Sequence, residues 1–196
     1  MPYPAFIEST RDGEKAYDVY TRMLKDRIVF LTGVVGEEMA NHLVAQLLLL
    51  ESQNDKAPII MYVNSPGGSV THGMSIYDTM QYISSPIHTV VIGQAASMAS
   101  LLACSGAVRS ITINSRHMIH QPLGGASGQA TDVLIHANEL LRWKEVLTGI
   151  YEKHTPQTFE TLQQDMERDN YMTAQQALDY GLVDEIVERR IESRID

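Results

Sequence analysis

Two short segments of the chain combine small residues with side chains that can take part in catalysis. In residues 93–100, GQAASMAS, Ser97 lies between two apolar runs, where a strand is predicted to give way to a helix. In residues 64–69, NSPGGS, the adjacent Gly67 and Gly68 allow a tight turn that brings backbone amides close to a ligand. Open α/β sheets bind ligands just past the ends of their strands, which is where both segments are predicted to lie. Both are therefore candidate site segments.

Each segment also has a purely structural interpretation. A serine at the start of a helix commonly caps it by accepting a hydrogen bond from a backbone amide, and Ser97 fits that description. The same position suits a nucleophile, because the positive end of the helix dipole and the free amides stabilise charge that develops on an attacked carbonyl. Likewise, NSPGGS is either an ordinary β-turn or a place that holds an oxyanion. The pattern alone leaves both alternatives open.

A nucleophilic serine needs a base, and the chain contains seven histidines. His120 is the best placed, because it ends the apolar stretch MIH immediately before a loop that contains glycine. His117 lies three residues earlier, so on a strand its side chain points to the opposite face. We expect His42, His136 and His154 at the surface. The positions of His72 and His88 stay undecided.

The carboxylate that would orient the imidazole is not determined by the residue pattern. A catalytic triad is defined by geometry and not by the order of its members along the chain. Several aspartates are therefore equal candidates: Asp78, Asp132, Asp165, Asp169, Asp179 and Asp184.

Composition limits the class of protein and its partners. With 196 residues, 44% of them apolar, the chain suits one domain over residues 1–196 with a substantial core. A net charge of −9 and the lack of a basic run argue against nucleic acid as a partner. The single cysteine, Cys104, lies in an apolar run and is expected to be a small buried hydrophobe in a reducing compartment. No signal-peptide pattern opens the chain and no apolar run approaches the roughly 20 residues of a membrane span, so we expect a soluble, non-exported protein.

The elements that must position these residues follow an α/β rhythm. Short β-branched runs predict strands at residues 28–31, 59–63, 89–92, 111–113 and 182–187. Between the first two strands, apolar spacings of three and four predict a helix at residues 37–53, and the unit is predicted to repeat with helices at residues 69–83 and 97–107. Crossovers of this length return the chain to the same sheet, so the strands are predicted to be parallel. A final helix is marked by a capping box of Thr173 with Gln176 and by a stop at Gly181.

A long periodic stretch at residues 131–152 follows the flexible segment PLGGASG. Five of its apolar residues could form a single stripe: Val133, Ala137, Leu140, Val146 and Ile150. A helix of this length is long for the edge of a small domain, which suggests that it projects and packs on something else. The alternative is an ordinary helix of the core, and the pattern does not decide between them.

An ordered set of short motifs covers almost the whole chain. It comprises YDVY at 17–20, LKDRIVFL at 24–31, NSPGG at 64–68, GMSIYDTM at 73–80, GQAASM at 93–98, MIHQP at 118–122, GQATD at 128–132, ERD at 167–169 and YGLVD at 180–184. No single motif is specific, but as an ordered set they resemble the proteolytic subunit of the Clp protease, the ClpP family of serine peptidases. The resemblance implies the α/β spiral fold shared with crotonases, with a handle region at residues 123–153 whose projecting helix matches residues 131–152.

The resemblance also assigns roles within a site. It implies that Ser97 is the nucleophile, His120 the general base and then acid, and Asp169 the group that orients the imidazole. The backbone amides of Gly68 and Met98 would form the oxyanion hole. Substrate would lie extended beside Val70 and near Leu123, pairing backbone to backbone, which implies broad peptide specificity.

At the level of assembly, the resemblance implies a cytoplasmic homo-oligomer of two stacked heptameric rings that encloses its active sites. Arg168 aligns with a residue that the family uses between rings, and residues 1–17 with the axial gate. An AAA+ unfoldase of the ClpX or ClpA type would feed the chamber with unfolded polypeptides and would be the component that uses ATP. The chain itself is expected to need no cofactor and no metal. The unfoldase would dock at apolar clefts where three residues align: Leu48, Tyr62 and Tyr82.

The chain departs from the family pattern in places, and two other functions compete with the peptidase. Ala99 stands where glycine is usual, which could alter the seating of the nucleophile, and Tyr82 stands where phenylalanine is frequent. The segment before Ile7 is short, so a long cleaved propeptide is not expected. The competing functions are a crotonase-like acyl-CoA enzyme and a catalytically impaired ring member that only scaffolds active partners.

Overall fold

Strands and helices alternate along most of the chain, as the apolar pattern predicts. The computed structural model describes residues 5–10 and 13–188. In chain order the elements are β1 (Ala5–Thr10), β2 (Gly13–Asp18), α1 (Val19–Lys25), β3 (Ile28–Val35), α2 (Glu37–Gln53), β4 (Ile59–Gly68), α3 (Val70–Tyr82), β5 (Ile87–Ala96), α4 (Met98–Cys104), β6 (Val108–Thr112), β7 (Arg116–Ile119), α5 (Ala130–His154), α6 (Phe159–Asp165), β8 (Asn170–Thr173), α7 (Ala174–Tyr180) and β9 (Glu185–Val187).

The central sheet is parallel in the order β3-β4-β5-β6-β9, which confirms the predicted α/β class. The helices α2, α3 and α4 make the crossovers between its first four strands. β7 lies parallel to the last residues of β5, and β8 pairs antiparallel with β7. This side branch brings a second pair of strands to the end of β5, where the candidate nucleophile follows.

The core lies between this sheet and the faces of the helices packed on it. α2 has the predicted bounds, and it buries Ala40, Leu43, Leu47 and Leu50 at spacings of three and four. Cys104 is also fully buried, as expected, and burial raises the pKa of its thiol to about 12. This cysteine is therefore a packing residue that stays protonated.

Two strands are longer than the pattern predicts. β4 continues to Gly68, so residues 64–68 are the last part of a strand and do not follow it, and β5 continues to Ala96. The register of β4 shifts after Asn64 against β3 and after Val63 against β5, and the Ser65 hydroxyl donates to the Gly33 carbonyl at 2.5 Å. The irregular register therefore keeps these polar and glycine residues within the sheet. The strand propensities of the residues do not predict this.

Several short elements escaped the sequence analysis. α1 buries none of its residues and α6 buries only Leu162, so neither leaves an apolar period that could be recognised. The predicted strand at residues 182–187 shortens to β9, and the hairpin of β1 with β2 was not anticipated. Met1–Pro4 and Arg11–Asp12 belong to the predicted axial gate but lie outside the described residues. By contrast, the capping box of Thr173 and the left-handed Gly181, with φ of 86°, are confirmed at the ends of α7.

α5 is the long helix predicted at residues 131–152, and its two ends differ in burial. No residue before Leu147 is buried, whereas Leu147, Ile150 and Tyr151 pack into the core. Of the five residues in the predicted apolar stripe, only Ile150 is buried, whereas Val133, Leu140 and Val146 are half-buried and Ala137 is exposed. The burial favours the projecting alternative. None of the described helices, α5 included, has the length and apolar character of a membrane span.

Arg109 joins the ends of several elements near the base of α5. Its guanidinium donates to the carbonyl oxygens of His154 and Gly181, at 2.6 Å and 2.9 Å, and to that of Cys104. It also binds the Asp184 carboxylate through two nitrogens, at 3.1 Å and 2.5 Å. These hydrogen bonds with Arg109 hold the pKa of Asp184 below its ordinary value of 3.8.

The Asp184→Asn variant tests this ion pair. A carboxyl with a lowered pKa in the folded state stabilises the fold above its ordinary pKa, and this stabilisation is lost as the pH falls through the lower folded value. We expect the variant to have a lower thermal unfolding midpoint than the wild type at neutral pH. The difference should shrink below pH 3.8. Asp179→Asn, at an exposed hydrogen bond to Gln175, is the control and should change the midpoint much less.

Candidate active site

Ser97 occupies the single residue between β5 and α4. Its φ of 55° is in a region that residues other than glycine rarely adopt. The backbone amide of Ser97 donates to the carbonyl oxygen of Met118 at 2.8 Å, which joins this turn to β7. The side chain makes no capping hydrogen bond to α4. The capping interpretation of Ser97 is therefore wrong, and its hydroxyl is free to point elsewhere.

The Ser97 hydroxyl points to His120, which lies one residue past the end of β7. Ser97 Oγ and His120 Nε2 are 2.7 Å apart, and His120 Nδ1 lies 2.9 Å from Asp169 Oδ1. A carboxylate can only accept a hydrogen bond, so Nδ1 carries the proton that it donates to Asp169. Nε2 is then the acceptor for the serine hydroxyl. This arrangement has the geometry of a nucleophile, a base and an orienting acid.

Asp169 reaches His120 because of the pairing between β7 and β8. Ile119 pairs with Asn170, so the residues just beyond these partners, His120 and Asp169, lie at the same end of the two strands. Three of the other candidate aspartates bind elsewhere: Asp165 accepts from Tyr180, Asp179 from Gln175, and Asp184 from Arg109. The choice among the candidate aspartates therefore depends on the short strand β8, which was not predicted from the sequence.

The glycine pair of β4 passes directly against the turn that contains Ser97. Gly67 and Gly68 both have positive φ, of 88° and 153°. A Cβ atom at Gly67 would lie 2.6 Å from the Ala96 oxygen, 2.8 Å from Ser97 Cβ and 3.0 Å from the Met98 nitrogen. Only a residue without a side chain fits there. The two segments singled out in the sequence are therefore neighbours in space.

A cavity of about 380 Å³ opens at this point. Its lining includes every residue that the sequence analysis assigned to the reaction or to substrate, apart from Asp169: Gly68, Val70, Ser97, Met98, His120 and Leu123. Leu123 is 80% exposed and lies at the rim, and the Asp169 side chain is 56% exposed behind the imidazole. The structure thus brings the candidate catalytic and substrate-binding residues together.

The remaining histidines follow the predictions unevenly. His42 and His136 are exposed as expected, but His154 is half-buried against Tyr77, and burial together with Lys153 lowers its pKa to about 4. His117 lies on the face of β7 opposite His120, where it is fully buried. Burial lowers the pKa of His117 to about 3, so this imidazole is neutral under ordinary conditions.

Four predicted residues lie away from the cavity lining. Leu48 on α2 is 43% exposed, Tyr82 at the end of α3 is 82% exposed, and Tyr62 on β4 is half-buried and stacks on Phe30. Arg168 is exposed beside Asp169. One residue near the site was not anticipated: Tyr151 of α5, whose hydroxyl donates to the carbonyl oxygen of Ser97 at 3.4 Å.

At one cleft of a parallel α/β sheet, a serine, a histidine and an aspartate form a hydrogen-bonded series, an arrangement that suits activation of the serine hydroxyl as a nucleophile. No cluster of three or more metal-ligating side chains occurs in the described parts of the chain. Residues 11–190 match the family model described as Clp protease. The chain belongs to this family, which implies a peptidase role.

The close approach of Gly67 to the Ser97 turn generates a direct test. Gly67→Ala places a methyl group against backbone atoms that set the nucleophile, at a φ of 88° that alanine rarely adopts. We expect kcat for a short fluorogenic peptide to fall by about 100-fold, since displacement by about 1 Å is enough for such a loss. Steady-state hydrolysis of that peptide is the measurement.

Gly149→Ala is the matched control for this substitution. An added Cβ at Gly149 meets no atom within 4 Å, and alanine is favoured over glycine within a helix such as α5. This variant should keep the wild-type kcat. Full activity in Gly67→Ala would mean that the glycine turn does not constrain Ser97.

Proposed function

We propose that the protein is a serine endopeptidase that cleaves unfolded proteins and short peptides, with Ser97, His120 and Asp169 as its catalytic triad. One observation supports this most strongly: the continuous series of hydrogen bonds from Ser97 Oγ through His120 to Asp169, at 2.7 Å and 2.9 Å. A hydroxyl is a weak nucleophile at its ordinary pKa and needs such a base. The family's peptidase role supports peptide-bond hydrolysis as the reaction of these three residues.

The proposed reaction is acyl transfer in two halves. His120 Nε2 takes the Ser97 proton as Oγ attacks the scissile carbonyl carbon, and the resulting oxyanion is held by the backbone amides of Gly68 and Met98. Collapse of this intermediate breaks the C–N bond, and His120 returns the proton to the leaving amine. Water then repeats the sequence on the acyl-enzyme, which releases the carboxylic acid and the free serine. Asp169 keeps the imidazole oriented and stabilises its charged form.

Substrate would bind as an extended chain along the end of β4. The cleft beside Val70 continues past the glycine pair towards Leu123, and both residues line the cavity next to Ser97. Backbone pairing with a strand end reads few side chains, so such a cleft accepts many sequences. This supports the broad peptide specificity expected of the family.

We propose that the chain works as two stacked heptameric rings in the cytoplasm. The support in this chain is the projecting part of α5, where Leu134, Ile135 and Leu141 are 63%, 60% and 61% exposed. Exposed apolar side chains on a projecting helix suit burial against another subunit. Arg168, exposed beside Asp169, would contribute at the contact between rings and so couple assembly to the triad.

The same proposal includes an AAA+ unfoldase partner of the ClpX or ClpA type, which would use ATP and deliver unfolded polypeptide. Leu48, Tyr62 and Tyr82 would form its docking clefts, and residues 1–17 the axial gate. Two of these side chains are substantially exposed and apolar or aromatic, as a docking surface requires. The chain itself would need neither cofactor nor metal.

The competing functions lack comparable support. A crotonase-like acyl-CoA enzyme needs an oxyanion site but no serine, histidine and aspartate in series, so it leaves the hydrogen bonds of Ser97 unexplained. An impaired scaffolding member would be expected to show a disturbed nucleophile near Ala99. Ala99 is fully buried in α4, and the contact between Ser97 and His120 is intact beside it.

The Ser97→Ala variant tests the proposed nucleophile. Without the hydroxyl no acyl-enzyme can form, so we expect hydrolysis of a short fluorogenic peptide to fall by a factor of about 10⁴ or more. Ser75→Ala, which removes an exposed hydroxyl on α3, is the matched control and should retain full turnover. Unchanged turnover in Ser97→Ala would overturn the mechanism.

Native mass measurement of the wild type and both variants checks the assembly at the same time. We expect a tetradecamer in each case, because Ser97 is not proposed to contribute to subunit contacts. A fully active monomer would contradict the chamber.

A further inference from the structure

Directly beneath the proposed triad, the core contains a second serine and histidine in contact. Ser100 and His117 both have 0% exposure, and Ser100 Oγ lies 2.9 Å from His117 Nδ1. Their neighbours along the chain are mostly apolar, from Met98 to Cys104 on α4 and at Met118 and Ile119 on β7. A polar pair in such a setting is satisfied only by its own hydrogen bonds.

The two residues belong to the two elements that set the proposed nucleophile and base. Ser100 lies in the first turn of α4, and its amide donates to the Ser97 carbonyl oxygen at 2.9 Å. His117 precedes Met118, whose carbonyl oxygen accepts from the Ser97 amide at 2.8 Å. Three residues after His117, the same strand leads to His120. The contact between Ser100 and His117 therefore fastens the Ser97 turn to the strand that ends at His120.

A third buried side chain contacts the Ser97 carbonyl. Tyr151, which is 2% exposed, donates to this oxygen at 3.4 Å. Burial raises the pKa of Tyr151 well above its ordinary value, so its hydroxyl remains a donor. The Tyr151 hydroxyl and the Ser100 amide therefore both donate to the Ser97 carbonyl oxygen.

This network costs more than an apolar packing of the same volume would. His117 Nε2 is buried without a hydrogen-bond partner among the described residues. A pair of small apolar side chains would fill the space between α4 and β7 without an unsatisfied nitrogen, and such replacements are often neutral or stabilising. The stability of the fold therefore does not explain why this pair is present. A need to fix the orientation of α4 relative to β7 does explain it.

We propose that Ser100 and His117 are positioning residues for the reaction: their hydrogen bond holds the turn of Ser97 against the strand that presents His120. The inference rests on the proposed peptidase function and deepens it. Neither residue touches substrate, so loss of the hydrogen bond should change the rate of the chemical step and leave peptide binding nearly unchanged.

Two substitutions at His117 separate the hydrogen bond from the packing. Asparagine and leucine branch at the same atom, but the asparagine amide can occupy the position of Nδ1 and hydrogen bond to Ser100, whereas leucine cannot. We expect His117→Leu and Ser100→Ala each to lower kcat for a short fluorogenic peptide at least about tenfold, with KM changed less than about twofold. His117→Asn should keep kcat within about threefold of the wild type. The double variant Ser100→Ala with His117→Leu should be no slower than either single variant, since the two residues act as a unit.

Thr89→Val is the control for a merely structural effect. Thr89 is 1% exposed, and its hydroxyl donates to the Ala103 carbonyl oxygen at 2.6 Å, which joins β5 to the far end of α4. Removal of this buried hydroxyl should lower the thermal unfolding midpoint and leave kcat unchanged. If His117→Leu does not fold, Ser100→Ala and His117→Asn provide the same comparison against Thr89→Val.

The outcomes distinguish this inference from the function on which it rests. Wild-type kcat in both Ser100→Ala and His117→Leu would overturn the positioning role alone. Equal loss of kcat in His117→Asn and His117→Leu would overturn it as well, because packing and not the hydrogen bond would then matter. If the wild-type protein shows no peptide hydrolysis that depends on Ser97, both the proposed peptidase function and this inference are overturned.

Discussion

The arrangement of the site depends on one backbone conformation, that of Ser97. A residue other than glycine at a φ of 55° costs about 1–3 kcal/mol and persists only where its surroundings enforce it. Here the surroundings are the Met118 carbonyl, which accepts from the Ser97 amide, and the glycine turn at Gly67, which leaves no room for a side chain. This conformation directs the Ser97 hydroxyl away from α4 and towards His120. In the ordinary capping conformation, the serine hydroxyl would instead accept a hydrogen bond from a backbone amide of its own helix.

The sheet supplies the rest of the geometry through strand pairing. β5 ends one residue before Ser97, and β7 lies beside the end of β5 and leads to His120. β8 returns antiparallel along β7, and Asp169 immediately precedes β8. Each member of the proposed triad is therefore fixed by a neighbouring strand and not by a long loop. Such a frame keeps the relative positions of the side chains within the narrow tolerance that acyl transfer requires.

The sequence could predict those features that leave a periodic or chemical pattern. The helix over residues 37–53, the capping box at Thr173 and the parallel α/β class follow from apolar spacing and cap residues, and the structure has all three. Ser97 and His120 could be proposed because each follows an apolar strand. Asp169 could not be chosen from pattern alone, because its place depends on β8, a strand of four residues with a single buried side chain. The exposed stretch of α5 was likewise undecidable, since an apolar residue has the same signature whether a partner subunit or the core covers it.

The account as a whole rests on a nucleophilic hydroxyl at Ser97, and covalent labelling tests it most directly. The wild-type protein would be treated with a fluorophosphonate probe, digested, and the modified residue located by mass spectrometry. We expect an adduct on Ser97 and on no other serine, because among the serines in residues 5–10 and 13–188 only Ser97 has a histidine base at hydrogen-bonding distance in an open cavity. Absence of an adduct on Ser97, together with binding of coenzyme A, would contradict it.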